Sequence, residues 1–234
     1  IGKVASKCNR DVVLFPNWVD TRSFFPLDEK ARLKTEFSFK PTDTVVLYSG
    51  AVGRKQGLDT ILHAARSLSG IPGLKFVICG TGPYLQELKD LNEELALDNV
   101  LFMPLQPTRV LNRFLNMADI HLVIQKKEAS DLVMPSKLTN ILATGGVSIV
   151  TAEKGSSLYQ IIERHRIGIV AEPENPNALA RAVSRAIRGD LAEIRSNARH
   201  YAMHSLSIDK VMVRYANHLK EIAGLPVRGV TANA

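Results

Sequence analysis

Three short segments carry residue types and spacings that could hold a phosphate. The first is Gly50-Ala51-Val52-Gly53-Arg54-Lys55-Gln56-Gly57, which follows a β-branched run and opens a helical pattern. Its glycines let backbone N–H groups approach an anion with no Cβ in the way. Arg54 and Lys55 add positive charge where a diphosphate would lie. The G-K-[ST] ending of a P-loop is absent, and an ordinary strand-to-helix turn with two solvated cations would read the same way. The second segment, Gly80-Thr81-Gly82-Pro83, starts like a G-x-G-x-x-G fingerprint. Leu85 holds the place of the third glycine, which argues against a dinucleotide. The third is Met134-Pro135-Ser136-Lys137-Leu138-Thr139-Asn140. Proline suits the first turn of a helix, and the N–H groups after it face outward at the positive end of the helix dipole. An anion there would gain about 0.3–2 kcal/mol from the dipole. Each charge-assisted hydrogen bond from Ser136 or Lys137 would add about 1.5–3 kcal/mol. A well-started helix with no ligand would share the pattern.

Other chemistries find little support. Glu128 and Asp131 stand in the loop before Pro135, where they could touch a sugar or lie solvated. His200 and His204 are four apart, but the glutamate of H-E-x-x-H is missing, so they read as a solvated helix face. There is no D-x-D pair to clamp a metal-bound diphosphate and no G-x-S-x-G elbow, so neither a metal nor a cofactor is expected. Cys8 and Cys79 match no metal or redox spacing and read as two free thiols.

These segments need a scaffold that brings loops to one edge. Short apolar runs at Val12–Phe15, Thr44–Ser49, Leu74–Cys79, Val100–Met103, Asp119–Ile124, Val147–Thr151 and Gly168–Ala171 alternate with amphipathic helical stretches. That alternation predicts βαβ crossovers, hence an α/β, doubly wound parallel sheet with helices on both faces. Ligands of such sheets bind beyond the carboxyl ends of the strands, where all three segments fall. The last third departs from the cycle: 190–204 and 207–222 read as consecutive extra C-terminal helices. Ile208, Val211, Met212, Tyr215, Leu219 and Ile222 stripe the second, to pack on this domain or to reach a partner domain. The expected division is an entry strand over 1–16, one Rossmann-like domain over 17–223 and a frayed tail over 224–234.

The 234 residues are 45% hydrophobic with no run long enough to span a bilayer, and nothing at the N-terminus reads as a signal peptide. The chain opens at Ile1 inside a strand-like segment, which suggests a piece of a longer protein. A net charge of +7 and a pI near 9.5 favour anionic partners such as nucleotide phosphates or acidic headgroups. Lys and Arg are scattered and aromatics few, so a nucleic-acid surface is not expected.

Taken in order, PNWVDTRSFFP, YSGAVGRKQGLDTILHAA, FVICGTGP, NVLFMPL, ADIHLV, MPSKLTNILATGG and GIVAEPENPNALARAV resemble the C-terminal domain of family 4 glycosyltransferases, which have the GT-B fold. The likeness runs from about Val12 to Ile222 and is strongest to the exopolysaccharide subgroup similar to the colanic-acid enzymes. It implies that Gly50, Gly53, Arg54 and Lys55 hold a donor diphosphate. Gly80 and Gly82 belong to the same nucleotide site, Leu105 and Gln106 edge the base, and Pro135, Ser136, Lys137 and Leu138 hold phosphate and ribose.

Departures from the family are visible. Two glutamates eight apart are common there; this chain has Leu132 and Asn140, and Asn140 can bond a ribose hydroxyl without charge. Ala51 replaces the usual Arg and Gln56 the usual Lys, with Arg54 and Lys55 as substitutes. The resemblance implies a retaining sugar transfer from a nucleotide-diphosphate-sugar to a sugar or lipid-linked acceptor. The acceptor surface and a catalytic histidine belong to an N-terminal domain not present here, so catalytic residues are unknown and the chain alone should be inactive. A cytoplasmic location follows, with room for peripheral contact at the inner face of the plasma membrane. A non-catalytic nucleotide-binding subunit and half of a GT-B-like nucleotide-sugar epimerase remain open as alternatives.

Overall fold

The computed structural model describes residues 15–127 and 134–226. Of the expected entry strand Val12–Phe15 only Phe15 is among them. Glu128, Asp131 and Leu132 lie outside the described residues, as do Cys8 and most of the expected tail.

Six strands, β1 (Thr44–Ser49), β2 (Leu74–Cys79), β3 (Val100–Met103), β4 (Ile120–Val123), β5 (Val147–Thr151) and β6 (Ile169–Ala171), form one parallel sheet in the order β3-β2-β1-β4-β5-β6. β1 and β2 run in register from Thr44 opposite Leu74 to Ser49 opposite Cys79. Nine helices surround the strands among the described residues: α1 (Lys30–Glu36), α2 (Asp59–Ser67), α3 (Leu85–Glu94), α4 (Thr108–Met117), α5 (Ser136–Ala143), α6 (Ser157–His165), α7 (Pro176–Arg188), α8 (Ala192–Tyr201) and α9 (Ile208–Ile222).

Period-two alternation explains why the central strands are apolar throughout. Val46 and Tyr48 of β1 face one core, with Phe76 and Ile78 of β2, Leu62 of α2, Leu58 just before it and Val183 of α7. Val45 and Leu47 face the other side, against Leu33, Phe114 and Met117 of α1 and α4. Further along that face, Leu138, Leu142, Leu158, Ile162 and Ala198 pack α5, α6 and α8 on Val123 and Val150. A parallel sheet covered on both faces needs such continuous apolar strands.

Local chemistry sets several boundaries. Asn175 caps α7, its side chain accepting from Ala178 N–H at 3.0 Å, and Pro176 takes the first helical position. Ser156 caps α6 in the same way through Tyr159 N–H. The expected helix over 190–204 is shorter. After Tyr201 the chain makes a π-helical turn, Ala202–Leu206, before α9 begins. The reason is a competing partner: Val19 donates to Leu206 O at 2.9 Å and accepts from Ile208 N–H at 3.0 Å. Arg199 ties the same entry segment down, donating to Phe24 O and to Ala143 O. At the far end, Gly224 and Leu225 turn back onto α9, Leu225 N–H donating to Lys220 O at 2.8 Å. Gly224 and Leu225 therefore close the end of the helix.

Candidate functional site

Strand order reverses between β1 and β4, and the crevice beyond their carboxyl ends is where open α/β sheets take ligands. The Gly50 loop leaves β1 there, and the segment after β4 returns to start α5 on the other side of the crevice. The resulting cleft holds about 500 Å³ and is lined by Tyr48, Gly50, Gln56, Ser136, Lys137 and Asn140, with Asn17 and Trp18 from the entry segment.

The loop is shaped by its neighbour. Gly50 N–H donates to Cys79 O and Val52 N–H to Thr81 O, both at 2.9 Å, while Tyr84 N–H donates to Val52 O. A Cβ on Gly80 would sit 1.9 Å from Gly50 O, and one on Gly82 would sit 2.1 Å from Val52 O. Close backbone nesting thus gives the G-x-G pair its reason, and neither glycine lines the cleft. Gly53 opens a 3₁₀ turn, Arg54–Gln56, and its N–H donates to Gln56 Oε1 at 3.1 Å.

Lys137 is the one cation lining the cleft among the described residues. Its Nζ lies 3.7 Å from the centroid of the Tyr48 ring, a cation–π contact that fixes the ammonium under the Gly50 loop. Gly50 makes room for it, since a Cβ there would stand 2.7 Å from Lys137 Nζ. The Tyr48 hydroxyl, whose ionisation burial disfavours, donates to Ala51 O at 2.7 Å and so steadies the loop. Burial pushes the Lys137 pKa down to about 8, and no carboxylate among the described residues lies within ion-pair distance. A half-buried ammonium held by a π face and left without an anion is poised to receive one.

Helix α5 presents its N-terminus to the same space. Pro135 occupies the cap position without a side-chain cap, so Ser136 and Lys137 open the helix with outward-facing amides. Asn17 Nδ2 donates to Met134 O at 2.8 Å and pins the approach to α5. Leu138 is buried in the core below, so its contribution to the cleft is its backbone. Asn140 lines both the outer cleft and a smaller cavity of about 180 Å³ beneath it, between α4 and α5.

The other residues singled out in the sequence scatter around this centre. Arg54 turns away: its Nη2 pairs with Glu87 at 2.7 Å and its guanidinium lies over the Tyr84 ring. Lys55 is exposed on the same turn and Gln56, not a cation, faces the cleft. Leu105 is exposed on the loop after β3, where Gln106 Nε2 donates to Pro104 O at 2.9 Å. That loop is two strands from β1, about 10 Å away at ordinary strand spacing. Asn17, Trp18 and Tyr48 line the cleft without having been singled out. Tyr48 reads as core in a strand pattern, and nothing local in PNWVD reports the fold-back onto Met134. Among the described residues the outer cleft holds no carboxylate and no imidazole. It offers an anion one cation and the amides at the start of α5, and Tyr48 and Lys137 are its titratable side chains. No group of three or more His, Cys, Asp or Glu could hold a metal, and no helix is long and apolar enough to cross a membrane, among the described residues.

Comparison with known proteins gives a consistent pattern. The model of the family described as "Glycosyl transferases group 1" matches residues 29–204. WcaI of Escherichia coli, named as a colanic acid biosynthesis glycosyl transferase, is 36% identical over 213 residues, 90% of this chain and 52% of that protein. The chain thus spans about half the length of the curated relatives it matches. Among solved structures, the C-terminal domain of the group 1 glycosyl transferase LpcC of Francisella tularensis superposes with a TM-score of 0.68 at 20% identity, covering 81% of this chain and 99% of that one. HepE of Anabaena, solved with UDP and glucose, gives a TM-score of 0.74 at 15% identity over 87% of this chain and 55% of that one. At such identities the structural likeness speaks for the fold.

Proposed function

Because the chain belongs to the group 1 glycosyl transferases, we propose that it binds the nucleotide-diphosphate-sugar donor of a retaining glycosyltransferase that builds bacterial exopolysaccharide or another cell-surface polysaccharide. The observation that carries the reading is Lys137, stacked on Tyr48 beside the uncapped start of α5 with no carboxylate partner among the described residues. The donor diphosphate lies between Lys137, the amides of Ser136 and Lys137 and the Gly50–Gly53 backbone. Asn140 meets the ribose, and Leu105 and Gln106 edge the base. Gly80 and Gly82 act one layer back by letting the Gly50 loop take its shape. Arg54 reaches the diphosphate only if it leaves Glu87, and Lys55 reaches it from an exposed position on the same turn. Glu128 and Asp131 are the carboxylates nearest in sequence for sugar contact.

Fixed cations and helix amides stabilise a departing diphosphate without a metal. The donor is the only small molecule the reading requires, and no separate cofactor enters it. The sugar or lipid-linked acceptor is held by the part of the enzyme outside these residues, in the cytoplasm with peripheral contact at the inner membrane face. The binding of UDP-type ligands by HepE and the naming of WcaI for colanic acid support this reading.

Calorimetry with UDP, GDP and ADP tests it. One of the three is expected to bind, with Lys137→Ala weakening it by about 10- to 100-fold, one charge-assisted contact. Unchanged affinity in the variant at moderate salt would remove Lys137 from the site. A radiolabelled-sugar assay tests the division of labour. Transfer is expected with the upstream domain restored and not with this chain alone, because orientation across the two halves supplies much of the rate. Turnover by the isolated chain would overturn it.

A further inference from the structure

A second cavity, about 370 Å³, lies at the opposite edge of the sheet, below the amino ends of β4 and β5, with cationic side chains set in a largely apolar wall. Lys30 of α1 and Arg195 and Arg199 of α8 line it, with Ser196 exposed at its rim and His121 of β4 in its wall. The carboxylates near these cations do not balance them. Asp28, the one carboxylate in the lining, is exposed. Asp119 accepts from Lys34 Nζ and from Val45 N–H, each at 2.8 Å on Oδ2, leaving its other oxygen 3.5 Å from Lys30.

Helix termini account for part of this cation density. Lys30 Nζ donates to Ala118 O at 2.7 Å beyond α4, and Arg199 donates to Ala143 O at the end of α5. Arg195 is different. Its single hydrogen bond among the described residues runs 3.3 Å to Asp119 O, so most of the five guanidinium donors have no protein acceptor among those residues. His121 is buried, and its Nε2 has no hydrogen-bond partner. Burial and repulsion from Arg195 lower Lys30 to a pKa of about 8 despite Asp119, and burial lowers Arg195. Fully compensated ion pairs would hold these cations at or above their ordinary values.

We propose that this cavity is a binding site for a phosphate group, held by the Arg195 guanidinium fork, the Lys30 ammonium and the Ser196 hydroxyl. The planar fork suits paired phosphate oxygens, and a tetrahedral anion fits within 370 Å³ with space for a substituent. The group is free inorganic phosphate or a phosphomonoester lipid headgroup, and the site is separate from the cleft that contains Lys137.

Calorimetry with inorganic phosphate, run on the chain carrying Lys137→Ala so that the carboxyl-end cleft is disabled, tests the proposal. Saturable binding is expected, with Arg195→Gln weakening it at least tenfold. Ser196→Glu, an exposed substitution that leaves the packing intact, is expected to abolish it by placing a carboxylate at the rim. Should Arg195→Gln fail to fold, Ser196→Glu decides alone. Co-sedimentation with phosphatidic acid vesicles against phosphatidylcholine vesicles separates the sources. Ser196-dependent capture by the acidic vesicles assigns a headgroup, and phosphate binding without capture assigns the free ion. Binding to neither probe, or binding indifferent to both substitutions, overturns the proposal.

Discussion

At the scale of single residues, ionisable groups drawn out of water shape the protein's response to pH, Lys137 and His121 among them. Lys137 has a folded pKa of about 8 against an unfolded value near 10.5. Between those values the unfolded chain binds more protons, so stability rises with pH through that window and the charge is a cost at pH 7. Lys137→Met keeps the volume over Tyr48 and removes that cost. Thermal unfolding should show it more stable by about 1–2 kcal/mol at pH 7, after allowing for the lost cation–π contact, with nucleotide binding weakened as in Lys137→Ala. In the wild-type chain, diphosphate affinity should fall as pH rises past about 8 and Lys137 loses its charge. A flat binding profile from pH 7 to 9.5 would contradict this. His121 works in the opposite window. Burial and the charges of Lys30 and Arg195 depress its pKa to about 3, so it stays neutral in the folded state. From pH 6.5 down to about 3 the unfolded chain takes up a proton that the folded chain does not. Its contribution to stability is present above pH 6.5 and drains away below. Urea unfolding at stepped pH should show His121→Gln with a shallower loss across that range than wild type, by up to about 1.4 kcal/mol per pH unit.

At the scale of elements, the Gly50 loop is a structure built by two strands rather than a free phosphate cradle. Gly80 and Gly82 exist to let the turn after β2 press its backbone against the turn after β1. Gly53 carries no such demand: a Cβ there meets only the far end of the Gln56 side chain, at 2.8 Å. Gly80→Ala should therefore destabilise by about 3 kcal/mol or more, as overpacking against fixed backbone does. Gly53→Ala should cost under about 1 kcal/mol, since Gln56 can swing aside. Paired denaturation curves check the contrast, and equal losses would show that the loops do not nest as described.

At the scale of the whole molecule, one surface remains uncovered. Val211 is the buried residue of α9, while Val213, Tyr215, Leu219 and Ile222 are exposed, as are Phe15 and Trp18. Phe15 packs on both Trp18 and Tyr215, joining the entry segment to the last helix. Tyr215, Leu219 and Ile222 share one side of α9 at helical spacing while Val213 points away, and that side, joined to Phe15 and Trp18, is an apolar face that favours association. Sedimentation velocity of the isolated chain should show concentration-dependent self-association that Leu219→Lys reduces, with thermal stability unchanged because Leu219 is half exposed. Monomeric behaviour of the wild-type chain at high concentration would remove the face as an adhesive surface.

What was legible in the sequence is what depends on neighbours along the chain. Short apolar runs give β1, β2, β3 and β5 to the residue, and the Asn175-Pro176 pair opens α7 by capping chemistry that is local to it. The alternation of runs and helices yields the doubly wound sheet, and strand-to-helix loops place Gly50 and Pro135 at its carboxyl edge. Which loop cation faces the cleft is another matter. Arg54 and Lys55 sit beside the glycines in sequence, yet Arg54 finds Glu87 and Tyr84 on α3 and its approach, while Lys137 comes from across the switch point to lie on Tyr48. The π-helical turn after Tyr201 follows from Val19, more than 180 residues earlier, taking the Leu206 carbonyl. Both outcomes rest on hydrogen-bond and charge partners distant in the chain. Local spacing sets where a side chain starts, but the energy of a buried charge or carbonyl depends on the partner that folding brings to it.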